Sequence, residues 1–128
     1  MSEEQYPLKE VTEKIIGAAF QVHNRLGGGF QERVYENALM KELGDRGLSA
    51  EQQKSLKIIY GGLPVGDFIA DILVNGSVIV ELKAQRSIEK QNEVQLQNYL
   101  KASGIEVGLL INFGQSVQVK RKIFSLVK

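Results

Sequence analysis

The chain has 128 residues, a net charge of +1 and no cysteine, which makes it one domain's worth of sequence with no disulfide framework and no thiolate metal site. Apolar residues make up 43% and charged residues 24% of it, ordinary fractions for a globular domain that buries one core without staples. No apolar run approaches a membrane span, the polar, acidic start MSEEQYPLKE does not read as a leader, and the lack of cysteine fits a cytoplasmic setting. With a charge this near zero, nucleic acid would have to meet a local basic patch rather than a generally basic protein.

Leu8, Val11, Ile15, Ala18, Ala19 and Val22 recur at three- and four-residue steps, which predicts an amphipathic helix. It should stop near Leu26, because Gly27-Gly28-Gly29 follows. A second helix is expected over 32–45, with Val34, Tyr35, Ala38, Leu39 and Leu43 as its stripe. Residues 55–60 read as a strand, Gly61-Gly62-Leu63-Pro64 as a turn, and 67–74 and 77–83 as β-branched strands flanking the hairpin signal Asn75-Gly76. The pattern is helical again over 88–103. A buried strand is expected over 106–113, and Val117, Val119 and Phe124 suggest a last, more exposed one. A helix set between β-rich blocks predicts a mixed sheet covered on both faces, a three-layer α/β/α sandwich spanning 1–128 as a single domain.

In the stretch IVELKAQRS, Ile79 to Ser87, Glu81 and Lys83 fall on one face at the end of a buried strand. Two charges are costly there unless they pair or hold something. Asp71 lies across the hairpin. A two-residue Asn75-Gly76 loop would set Asp71 opposite Val80 and turn Glu81 to the other face. An odd loop, or a bulge, would set Asp71 opposite Glu81, with Lys83 on that face beside Ile69. Turn propensity favours the first arrangement. Economy of buried charge favours the second, and we expect the second. Two adjacent carboxylates repel unless a cation sits between them. An all-oxygen set suits Mg²⁺ or Mn²⁺, which can polarise a phosphodiester and lower the pKa of an attacking water, with a lysine to position that water or stabilise the phosphoryl oxyanion. The plain structural alternative is a salt bridge at a strand end.

Three stretches in series, VHNRLGGGFQERVYENAL (22–39), FIADILVNGSVIVELKA (68–84) and QLQNYLKASGIEVGLLINFG (95–114), resemble the PD-(D/E)xK nuclease superfamily, and within it the small family named for its GxxExxY motif. The resemblance implies a restriction-endonuclease-like fold and a Mg²⁺- or Mn²⁺-dependent nuclease acting on DNA or RNA. Gly29, Glu32 and Tyr35 stand as the GxxExxY motif, and Glu32 is implied as an outer metal ligand. Asp71 and Glu81 match the superfamily's metal-binding carboxylates, Leu82 would offer its backbone carbonyl, and Lys83 matches the catalytic lysine. Gln95 and Tyr99 form a Q-x-x-x-Y element and share one helix face. Ala70 stands where the superfamily's name has proline. So small a nuclease would be hazardous unless a protein partner or an oligomer controls it, and a homodimer is what the resemblance implies. A second hypothesis keeps the fold as a binding module for nucleic acid or protein, with little or no turnover.

Among the remaining residues, His23 reads as a capping or hydrogen-bonding side chain and Tyr35 as a packing one. The glycine triplet follows a helix and lacks the Gly-Lys-Ser/Thr of a P-loop, so it reads as a flexible joint. Arg86, just past the lysine strand, is the best candidate for a phosphate contact. Lys120-Arg121-Lys122 reads as a solvated strand edge, with backbone gripping as the alternative.

Overall fold

A computed structural model describes residues 7–125; Met1–Tyr6 of the polar start lie outside them. The elements are α1 (Lys9–Leu26), α2 (Glu32–Asp45), β1 (Ala50–Tyr60), β2 (Leu63–Val74), β3 (Val78–Lys83), α3 (Lys90–Ser103), β4 (Val107–Phe113) and β5 (Val117–Ile123). The strands form one sheet in the order β1-β2-β3-β4-β5. Only the β3–β4 pair is parallel, and α3 makes the crossover between them, as a parallel connection requires. The sheet is mixed and the fold is of the restriction-endonuclease kind. β1 begins five residues earlier than the sequence suggests, because its first half is polar and pairs with β2 through the backbone.

Helices α1 and α2 cover one face. Ile15, Ala19, Tyr35 and Leu39 pack there against Val78, Val80 and Leu82 of β3 and Val107, Leu109 and Ile111 of β4. On the other face Leu96 and Leu100 of α3 pack on Phe68, Ala70, Leu73, Ile79 and Leu110. Gly108 lets α3 come this close: a Cβ there would stand 2.9 Å from a Leu96 methyl. Among the described residues no helix is long and apolar enough to cross a membrane.

The hairpin satisfies both of the arguments that conflicted in the sequence. Asn75 and Gly76 take positive φ of 54° and 64°, and Ser77 N–H donates to the Val74 carbonyl at 2.9 Å, so the Asn-Gly turn forms as local preference dictates. Val74 then pairs with Val78 rather than Ser77. Ser77 is the extra residue that resets the alternation, and continuing the register from Ile72↔Val80 brings Asp71 opposite Glu81.

The joint between α1 and α2 is tied down rather than flexible. The Tyr35 hydroxyl donates to the Gly27 carbonyl at 2.6 Å and accepts the Phe30 N–H at 3.2 Å, while the Tyr35 ring stacks on Phe113 at 4.6 Å. His23 Nε2 bonds the Gly114 carbonyl at 2.9 Å, the hydrogen-bonding role expected of it. The basic run on β5 is also only in part a solvated edge: Lys122 pairs with Glu93 at 2.7 Å and Arg121 donates to Thr12 Oγ1 at 3.0 Å, pinning β5 to helices on both faces.

Candidate active site

At Asp71 the sheet divides. Ile72 and Val74 face the α1–α2 core and Leu73 the α3 core, so alternation would return Ala70 to the first; instead Ala70 and Phe68 lie in the second. The face therefore inverts at Asp71. Across from it on β1, Gln53 takes φ +53°, a left-handed conformation that costs an L-residue about 1–2 kcal/mol. The β2–β3 ladder ends at Ile72↔Val80. Beyond it β2 leaves with β1, as a ribbon running to Tyr60↔Leu63, while β3 stays with β4 as far as Lys83↔Asn112. Lys83 consequently does not lie beside Ile69, as a continuous hairpin would have placed it.

Side chains cross the fork where backbone bonds stop. Glu81 Oε2 accepts the Asp71 N–H at 3.1 Å, and Asp71 Oδ2 accepts the Leu82 N–H at 2.8 Å. Each carboxylate thus satisfies an amide left over on the opposite strand, which fixes both groups beside one another. The proximity is electrostatically expensive. Glu81 is 8% exposed; burial, and then the Asp71 charge, push its carboxyl up to about 8. Burial also raises Asp71, against the opposing help of the Leu82 amide.

Lys83, half-buried at the end of β3, forms no salt bridge among the described residues. Its charge reaches Glu32, Asp71 and Glu81 only at longer range. The simple strand-end ion pair is therefore not what forms. Glu32 is exposed at the first turn of α2; partial desolvation, and then Asp71, raise its pKa. Leu82 is buried, with its N–H on Asp71. Tyr99 stacks on Phe68 at 4.0 Å, and its phenol is pushed up by burial and then by the charges of Glu81 and Asp71. Gln95, one turn earlier, is exposed and shares an open groove on α3 with Tyr99.

The sequence reading missed Glu36, Gln52 and Gln53. Glu36 is 2% exposed and accepts from Gln52 Nε2 at 2.6 Å and Gln53 Nε2 at 3.1 Å. Gln53 Nε2 also stands 3.5 Å from Asp71 Oδ1. Neighbouring strand residues reach the same helix because Gln53 breaks the alternation. The available signal was Glu36 four residues after Glu32, on one helix face. Asn112 was also missed. Fully buried, it donates to the Gln85 carbonyl and accepts the Gln85 N–H, both at 2.9 Å, and so holds the segment that leaves Lys83.

Among the described residues no three His, Cys, Asp or Glu side chains are grouped as metal ligands. The donors that do converge fit a hard divalent cation: two crowded carboxylates whose pKa values stay raised against the opposing Lys83 charge. Thiolate ligation is excluded by composition, since cysteine is absent.

A mixed α/β sheet carrying two carboxylates and a lysine where a hairpin divides defines a restriction-endonuclease-like domain. Residues 9–123 match the family model described as the PD-(D/E)XK nuclease superfamily, and the chain belongs to that superfamily. It is also similar to the crystal structure of SSO0001, with a TM-score of 0.56 and 24% identity over 73% of this chain and 50% of that one. The chain therefore spans about half the length of that protein, and the likeness concerns the fold alone. No curated protein matches it.

Proposed function

We propose that this protein is a Mg²⁺- or Mn²⁺-dependent nuclease of the GxxExxY kind, hydrolysing phosphodiester bonds in DNA or RNA with little sequence preference. The observation that carries the reading is the fork: Asp71 and Glu81 held together by each other's strand amides, with Lys83 two residues beyond Glu81 on β3 and in no salt bridge among the described residues. Burial of two like charges and an unengaged ammonium group is a costly arrangement for stability alone, and perturbed carboxylates gather at functional sites.

Asp71 and Glu81 would hold the cation, with the Leu82 carbonyl as a third oxygen and Glu32 as an outer group. The bound ion supplies positive charge at the scissile phosphate and lowers the pKa of the attacking water. Lys83 orients that water and offsets charge building on the phosphate oxygens. Tyr99 and Gln95 offer a phenol and an amide from the α3 side. Glu36 acts through Gln53, which steadies Asp71. A second reading, a nuclease-fold binding module without turnover, draws on the lack of a three-ligand His, Cys, Asp or Glu group among the described residues.

Cleavage of single- and double-stranded DNA and RNA in Mg²⁺ or Mn²⁺ is expected, abolished by EDTA and by Asp71→Ala. Lys83→Ala should lower the rate at least about 100-fold while leaving the melting temperature near that of the parent, because Lys83 has no ion pair among the described residues to lose. If the purified protein shifts these substrates but never cuts them, and Lys83→Ala binds as well as the parent, the binding-module reading replaces this one.

A further inference from the structure

We propose that the cleft between the α1–α2 joint and the loops leaving β3 and β4 is a nucleobase subsite, receiving one unstacked base of a single-stranded nucleic acid next to the carboxylate fork. The cleft measures about 450 Å³ and is lined by Gly28, Gly29, Phe30, Arg86, Gly114 and Gln115, among others, with no acidic residue on its walls. This rests on the nucleic-acid part of the reading above and not on its catalytic part.

Phe30 supplies the stacking surface. It is 46% exposed, and its ring contact is a perpendicular one with Tyr35 at 6.1 Å, so the ring is not sandwiched in the core. An exposed aromatic in a concave site has every base as a partner, since each base offers a π face. Arg86 is exposed and forms no ion pair or side-chain hydrogen bond among the described residues, which leaves its guanidinium available to a phosphate. Gln115 is likewise exposed with an unengaged amide, able to donate to and accept from a base edge.

The cleft is preformed. A Cβ on Gly28 would stand 3.1 Å from the Gly114 carbonyl oxygen, and one on Gly114 would stand 2.8 Å from that of Gln85, so the glycines are what let the loops meet. His23 fastens Gly114, Tyr35 fastens Phe30, and Asn112 fastens Gln85. Rigid walls lower the ordering cost of binding. The cleft also adjoins the fork along the chain: Arg86 is three residues beyond Lys83, and Phe30 two before Glu32. A strand entering past Arg86 would place a base on Phe30 as a neighbouring phosphodiester meets the carboxylates. A duplex keeps its base faces stacked and cannot use Phe30 in this way.

The test is fluorescence anisotropy in Ca²⁺ with labelled oligothymidylate, oligouridylate and a hairpin duplex of matched length. Tighter binding of a single strand than of the duplex is expected. Phe30→Leu, which keeps an apolar side chain but removes the ring, should weaken single-strand binding about tenfold without changing duplex binding, and Arg86→Ala should weaken it as well. Equal affinity for both forms, no binding of either, or full affinity in Phe30→Leu at unchanged melting temperature overturns the subsite. If these binding results hold but no metal supports cutting, the nuclease reading fails and the subsite stands. If the protein cuts but Phe30→Leu binds and cuts single strands normally, the reverse is true.

Discussion

Glu81 is under strong electrostatic strain, and its sign gives a test. Burial and the Asp71 charge raise its carboxyl from 4.5 to about 8. Between those values the folded protein keeps a proton that the unfolded chain has released, so the unfolded state binds fewer protons and stability falls as pH rises. In EDTA the free energy of unfolding should drop between about pH 5 and 8 by an amount on the order of a few kcal/mol. Glu81→Gln, which cannot ionise, should remove most of that slope. Urea titrations at several pH values measure it; an unchanged slope in Glu81→Gln would mean that Glu81 is not the group in strain. The Lys83 charge opposes the rise without cancelling it, because no salt bridge joins the two groups.

The β2–β3 hairpin and the strand-end segment after β3 are the elements that build the site. Ser77 resets the register by one residue, and without it Glu81 would turn away from Asp71. The segment leaving Lys83 is irregular and owes its path to Asn112, whose amide makes both of its bonds to Gln85 and a third to Gln118 Oε1 at 3.2 Å. Asn112→Leu keeps the volume and leaves the half-buried Gln85 amide and carbonyl without these partners. A loss of about 2–3 kcal/mol in chemical denaturation is expected, with a fall in cleavage rate beyond what the stability loss explains, because Lys83 then loses its support. A variant that is destabilised but cleaves normally when folded would confine Asn112 to a structural role.

At the scale of the whole molecule, the sheet is two units joined over a short ladder: a β1–β2 ribbon that departs with the α3-side residues Phe68 and Ala70, and a β3–β4–β5 unit held under α1 and α2. The carboxylates sit where the units separate, so a cation bound there should favour the folded state in proportion to its affinity. At a hundredfold excess over its dissociation constant, Ca²⁺ or Mg²⁺ should add about 2.7 kcal/mol. The gain should be larger at pH 8 than at pH 5, where Glu81 keeps its proton and would have to release it to bind. Thermal melts with and without EDTA measure this, and equal shifts in the parent and in Asp71→Asn would place the cation elsewhere.

The sequence by itself determined the order of the elements and the mixed sheet, since periodicity and glycine stops are local signals carried by neighbouring residues; it left two faces open to Glu81, and the register around Ser77 chose the one that meets Asp71. It also placed Tyr35 in packing and His23 in a hydrogen bond. Only the tertiary structure decided that the alternation inverts at Asp71, that Gln53 bends left-handed opposite it, that Glu36 and Asn112 hold the site from behind, and that the glycine joint is clamped. Those facts rest on contacts between residues far apart in the chain. A strand's alternation predicts faces only while its ladder stays regular, and here the ladder parts where the carboxylates gather.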